Sequence, residues 1–392
     1  HAYADNADHT VVDVNSVIPE EGKAADGANN FVRLLVTLSP TFTTRSEPAD
    51  LLLLDGNGRP LERFNPASVL GLSQLTDINQ DGKSELLLAS FGTLALSDPG
   101  FGGDAQRFVV ADTFRLDARP RVVTPVDLDV DGSEELLVGA DDGRLHLLQS
   151  DGATPLWQRK FEGTISHIEL ADGGGGGEPL IVIAHNTISP PDEEENDTGW
   201  VELLNPDGSS PIWATAPQFE AAVTALLVAD INGVGRAEVV VGLADGTILA
   251  YSLLDLSRPL WEETLNGPIK QLSLMPTVQN RAQILVTTET AQLAILNNKG
   301  REETSTAYPV EISDVLVNQG DEPLIPVVVV TQDGQVRSFS AEPDGGNEAV
   351  ALLGDAPLFT LVADQSVLVA TNESRVVRLS ADLDTPLETV WT

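Results

Sequence analysis

The chain has 392 residues, with 60 Asp and Glu against 22 Lys and Arg, a formal charge of −38. That balance argues against nucleic acid and against an anionic membrane surface, both of which need clustered cations. The apolar runs stop well short of the ~18 residues that span a bilayer, while a hydrophobic content of 42% suffices for a substantial core. Cysteine is absent, which excludes disulfides, thiolate catalysis and iron–sulfur or zinc–thiolate sites. Only 5 of the 22 basic residues are Lys. An Asp-rich, Lys-poor surface of this kind leads us to expect a salt-adapted protein, whose self-repulsion is screened by its medium.

In chain order, a short run rich in Val, Ile and Leu recurs. It starts near Val32, Glu85, Glu135, Pro179, Glu238, Gln283, Pro326 and Ser366, at intervals of 40 to 59 residues. A turn and a second strand-like run follow most copies. The clearest example is Asp142-Gly143, then Arg144–Leu148, then Asp151-Gly152, then Pro155-Leu156-Trp157. The order returns at Asp245-Gly246 through Pro259-Leu260-Trp261 and, without the first turn, from Trp200 to Pro211-Ile212-Trp213. Short apolar runs between Asp-Gly turns predict antiparallel hairpins, and no sustained 3.6-residue period predicts a helix.

Four short strands per repeat of this length predict an all-β chain forming a β-propeller of eight blades, each of four antiparallel strands. The blades are expected near 9–69, 70–118, 119–163, 164–219, 220–267, 268–309, 310–354 and 355–392, within a single domain spanning 1–392. Seven blades with an odd terminal hairpin is the alternative. The tryptophans at 157, 213, 261 and 391 occupy equivalent repeat ends, so all four are expected to pack in the core or between blades.

Two loops carry chemistry. Asp77, Asn79, Asp81, Lys83 and Glu85 form one, and Asp127, Asp129, Asp131, Ser133 and Glu135 the other. Oxygen side chains at positions 1, 3 and 5 converge on one point, and the glycine at 6 allows the turn that brings later oxygens round. A backbone carbonyl at position 7 (Lys83 or Ser133) and the carboxylate at 9 would complete a calcium site. Two calcium ions are therefore expected. A third copy, 230–238, has Val234 at position 5 and is expected to bind weakly or not at all.

This D-x-[DN]-x-D-G-x-x-E pattern before an apolar strand resembles the FG-GAP or VCBS-type repeat of integrin α-chain propellers and many secreted bacterial proteins. The Pro-Leu-Trp blade ends resemble quinoprotein-type repeats. The resemblance implies a structural metal, and a secreted, periplasmic or cell-surface location. The opening His1-Ala-Tyr-Ala-Asp5 lacks a basic-then-apolar leader, so a mature form is expected.

The five histidines (1, 9, 146, 167 and 185) share no metal-ligand spacing, and nucleophile-elbow, phosphate-loop and dinucleotide motifs are all missing. The function expected from these features is a non-enzymatic scaffold for a protein partner. A quinoprotein-like or polysaccharide-acting enzyme using the propeller's central funnel is one alternative. A lectin is another: carbohydrate binding is possible, but 5 Trp, 3 Tyr and 11 Phe offer few stacking platforms.

Overall fold

The computed structural model describes residues 9–17, 33–40, 50–54, 60–64, 70–76, 78, 85–90, 93–98, 109–129, 131–151, 154–172, 179–189, 197–275, 282–317, 327–339, 349–354, 356–363, 366–371, 376–380 and 388–391. Among these residues all regular structure is β, in eight four-stranded sheets, each an antiparallel meander with its strands in sequence order. The all-β expectation holds. The chain forms two compact units, His1–Leu116 with Ser313–Thr392, and Asp117–Ile312.

The first unit opens with β1 (His9–Val17), β2 (Arg33–Pro40), β3 (Asp50–Leu54) and β4 (Pro60–Phe64), then β5 (Leu70–Thr76), β6 (Glu85–Ser90), β7 (Thr93–Asp98) and β8 (Val109–Arg115). The second unit follows with β9 (Pro120–Val126), β10 (Glu135–Ala140), β11 (Arg144–Leu148) and β12 (Pro155–Lys160). Its second sheet is β13 (Thr164–Ala171), β14 (Leu180–Thr187), β15 (Thr198–Leu204) and β16 (Gln218–Phe219). Its third is β17 (Val223–Ala229), β18 (Glu238–Leu243), β19 (Thr247–Ser252) and β20 (Trp261–Thr264), and its fourth β21 (Ile269–Leu274), β22 (Gln283–Thr288), β23 (Gln292–Asn297) and β24 (Glu302–Ala307). The chain then returns to the first unit through β25 (Ile312–Val317), β26 (Val327–Thr331), β27 (Gln335–Phe339) and β28 (Ala349–Leu352), and ends with β29 (Pro357–Ala363), β30 (Ser366–Thr371), β31 (Val376–Ser380) and β32 (Glu388–Trp391).

The second strand of each sheet in the second unit carries a run of consecutive buried apolar residues, because both of its faces are covered. Ile181 and Ile183 point toward the β9–β12 sheet, packing with Leu137, Leu145 and Phe161. Val182 and Ala184 point the other way, packing with Val239, Val241 and Tyr251 of the β17–β20 sheet. Val240 and Ala250 repeat the arrangement against Ile284 and Val286. In the first unit, Val328, Val330 and Val336 meet Val367, Val369 and Val377 in the same way.

The first strands share a device that the sequence does not advertise. A register shift near the start of β9, β13, β17 and β21 leaves Arg121, Ser166, Thr224 and Lys270 as bulged residues. Ser166 Oγ and Thr224 Oγ1 each donate across to the neighbouring strand, to the carbonyls of Ala184 and Gly242, at 3.2 Å. Lys270 Nζ instead reaches the carbonyl of Ile312 at 2.6 Å and Glu311 Oε1 at 3.2 Å.

Polar bonds also tie successive sheets. Asn186 lies buried at the end of β14, donating to the carbonyl of Val223 at 2.9 Å and accepting from its N–H at 2.7 Å. Arg159 Nη2 donates to Glu202 Oε2 at 3.2 Å, and the other carboxylate oxygen, Oε1, lies 3.2 Å from buried His185 Nε2. The His185 ring stacks on Trp200 at 5.1 Å.

β16 is short for a reason that can be read from its register. Val201 N donates to the carbonyl of Pro217 at 3.3 Å, and Pro217 has no N–H to return. The ladder therefore stops, and Pro211–Pro217 crosses outside the strand. Trp213 departs from expectation here. Trp157 and Trp261 lie against glycines in the following sheet, Gly208 and Gly300, where a Cβ would come within 3.0 Å and 2.3 Å of the indoles. The corresponding turn after β19, residues 253–259, contains no glycine. Trp213 is 48% exposed, and Ile212 beside it is fully exposed. The side chain of Trp391 lies outside the described residues.

Candidate metal centre

The loop between β9 and β10 brings Asp127, Asp129 and Glu135 together, with one carboxylate oxygen from each within 4.8 Å of the others. Backbone donors hold them in place. Asp127 Oδ1 and Oδ2 accept from the N–H groups of Asp131 and Gly132, both at 3.1 Å. Asp129 Oδ1 accepts from Asp131 N at 3.2 Å, and Glu135 Oε2 accepts from Leu128 N at 2.9 Å. Each bond uses one lone pair and leaves others free.

Glu135 is buried, and burial pushes its carboxyl above the usual glutamate range. The charges of Asp129 and Asp131 push it further up, while the Leu128 N–H opposes them. Three carboxylates face one another, and no Lys, Arg or His ion pair with any of them is found among the described residues. In number and kind, these oxygen donors are ones that could hold a divalent cation.

Asp131 is exposed, its Oδ1 accepts from Ser133 N at 2.7 Å, and it is not one of the converging trio. Of the other predicted loop, Asp77, Asn79, Asp81 and Lys83 lie outside the described residues. Glu85 opens β6, with its side chain also outside them. Ile78, between the first two predicted ligands, is buried.

The loop between β17 and β18 reproduces this wiring with different chemistry. Asp230 Oδ1 and Oδ2 accept from Val234 N and Gly235 N at 3.1 Å and 2.7 Å, and Glu238 Oε2 accepts from Ile231 N at 3.1 Å. Asn232 stands where the first loop has Asp129. Its Oδ1 accepts from Val234 N at 2.9 Å, and its Nδ2 donates to Glu238 Oε1 at 2.5 Å. One amide hydrogen thus satisfies the carboxylate that in the first loop faces another carboxylate. Sequence reading marked Val234 as the defect. The Asn232–Glu238 bond is not marked by the spacing, since Asn79 occupies the same position 3 of the 77–85 loop.

No protein-family model matches the chain, and no curated protein matches it. Solved structures do. The chain is similar to Sqt1 from Chaetomium thermophilum, solved bound to the N-terminus of the ribosomal protein L10. Identity is 13% over 90% of this chain and 94% of that one, with a TM-score of 0.68. It is similar to BamB from Moraxella catarrhalis at 12% identity over 95% and 97% of the two chains, with a TM-score of 0.59. It is also similar to BBS1N, solved in complex with ARL6DN, at 13% identity over 81% and 93%, with a TM-score of 0.55. The fold is a β-propeller.

Proposed function

We propose that the chain is a non-enzymatic, secreted or cell-surface propeller of the FG-GAP/VCBS type, serving as a calcium-stabilised scaffold for a protein partner. The observation that carries the scaffold reading is the adjacent pair Ile212 and Trp213. In a chain of charge −38, a fully exposed Ile beside a half-exposed Trp is the kind of apolar anchor that dominates protein interfaces. Exposed Asp207 and Glu220 flank the segment in sequence. The Ser209 hydroxyl and N–H hold Asp207 below the usual aspartate range, so it stays charged. A partner presenting apolar side chains among Lys and Arg complements such a surface. Two of the similar propellers, Sqt1 and BBS1N, were solved with protein partners, which supports the reading.

Calcium's part is structural. At 127–135 it would be held by Asp127, Asp129 and Glu135, with Asp131 and the Ser133 carbonyl available to complete the shell. It would supply the positive charge that fixes this turn at the start of β10.

The test is capture from native extract at the organism's working salinity with calcium present. A stoichiometric protein partner retained by the parent and lost from an Ile212→Ser, Trp213→Ala variant supports the scaffold. Absence of any partner, together with turnover on a polysaccharide or alcohol panel, overturns it.

A further inference from the structure

We infer that Asn232 is a self-modifying residue: the loop that holds it is arranged to convert its amide to a carboxylate through a cyclic imide. Asn232 is exposed and precedes Gly233, which has no side chain to block approach to the Asn232 side-chain carbonyl carbon. Gly233 sits at φ +74, a conformation open to glycine and strained for other residues.

Three contacts bear on the three atoms that must change. The nucleophile is the Gly233 nitrogen, whose N–H donates to Asp230 Oδ1 at 2.8 Å, so a carboxylate is in place to take its proton. The electrophile is the Asn232 side-chain carbonyl, whose oxygen accepts from Val234 N at 2.9 Å and is polarised by it. The leaving group is the side-chain nitrogen, which is held at Glu238 Oε1. As the bond from Gly233 N to Asn232 Cγ forms, Asp230 takes the nitrogen's proton. That proton is then delivered to Nδ2, the Cγ–Nδ2 bond breaks, and ammonia departs. Water next opens the imide, giving aspartate or its isoaspartyl isomer at 232. Amide plus water becomes carboxylate plus ammonium, and no oxidant or reductant is involved.

The product changes the loop. Residue 232 loses the N–H that satisfied Glu238, and a carboxylate then faces a buried carboxylate. The amide latch at the start of β18 is thereby converted, slowly and irreversibly, into a repulsive contact.

The test compares the intact protein with a synthetic peptide of residues 226–240, incubated side by side in mildly alkaline buffer and in isotopically labelled water. Conversion at 232 is followed by peptide mapping. The proposal expects the folded protein to convert at least as fast as the peptide, with one solvent oxygen in the product. Asp230→Asn should slow the folded protein by about tenfold or more while leaving the peptide nearly unchanged, and Gly233→Ala should slow both. An intact protein that stays unconverted while the peptide converts would show that the fold protects Asn232. Equal rates in parent and Asp230→Asn proteins would equally overturn the arrangement.

Discussion

The indole of Trp157 lies on Gly208 of the following sheet, so close that a Cβ there would be 3.0 Å from its ring, and its N–H donates to the carbonyl of Pro206 at 2.9 Å. Arg159, two residues on, reaches the same turn through the Gly208 carbonyl at 3.0 Å and Ser210 Oγ at 2.9 Å. The fourth strand of one sheet is thereby anchored to the third turn of the next. Trp157→Ala should cost about 2–3 kcal/mol, below the usual range for a fully buried Trp because this one is half-buried. Gly208→Ala should also destabilise, through the ring contact and its φ of +78. Trp213→Ala should stay within about 0.5 kcal/mol. Denaturant midpoints of the three variants check the ordering.

Asn186 gives a second test of how sheets are joined. Both of its amide atoms bond the backbone of Val223 in the next sheet, from a buried position. Asn186→Leu would leave that N–H and carbonyl unsatisfied, at a cost of about 2–4 kcal/mol. Asn186→Asp should also destabilise, because it keeps the acceptor, loses the donor and buries a charge. Equilibrium unfolding of both variants measures this.

The repeat was legible because strand alternation, Asp-Gly turns and apolar runs all agree. The convergence of Asp127, Asp129 and Glu135 was legible in their spacing, whereas Asp131, read as a fourth member, stands apart from them. What escaped was set by neighbours. Trp213 reads like Trp157 and Trp261, but its seat depends on a glycine some 40 residues later, in a turn where none occurs. Pro217 looks unremarkable until the register places it opposite Val201. The bulges at Ser166 and Thr224 leave no mark in composition, and Asn232 matters only because Glu238 folds back upon it.

Two histidines set a pH dependence. Burial lowers both His146 and His167 from the ordinary value of 6.5. Below 6.5 the unfolded chain takes up protons that the folded imidazoles resist. Stability should therefore be complete above 6.5 and fall as pH drops from 6.5 toward the lowered folded values. The double variant His146→Leu, His167→Gln should flatten that decline between 6.5 and about 5, before most carboxylates titrate. Melting curves across this window, with calcium held constant, provide the comparison.

The charge of −38 makes a separate prediction. Self-repulsion opposes the compact state, and salt screens it. The melting temperature should rise clearly between low salt and about 1 M. A flat or falling curve at fixed calcium would remove the salt-adapted reading.

Calorimetric titration of the chelator-stripped protein with calcium tests the metal centre most directly. Two ions per chain are predicted, one at 127–135 and one at 77–85, with none at 230–238, where Val234 replaces the position-5 carboxylate and Asn232 already bonds Glu238. A hundredfold excess over the dissociation constant should stabilise the fold by about 2.7 kcal/mol per site. Asp129→Ala and Asp81→Ala should each remove one ion and leave the other. A protein that binds none, or an Asp129→Ala variant that still binds two, would contradict the account.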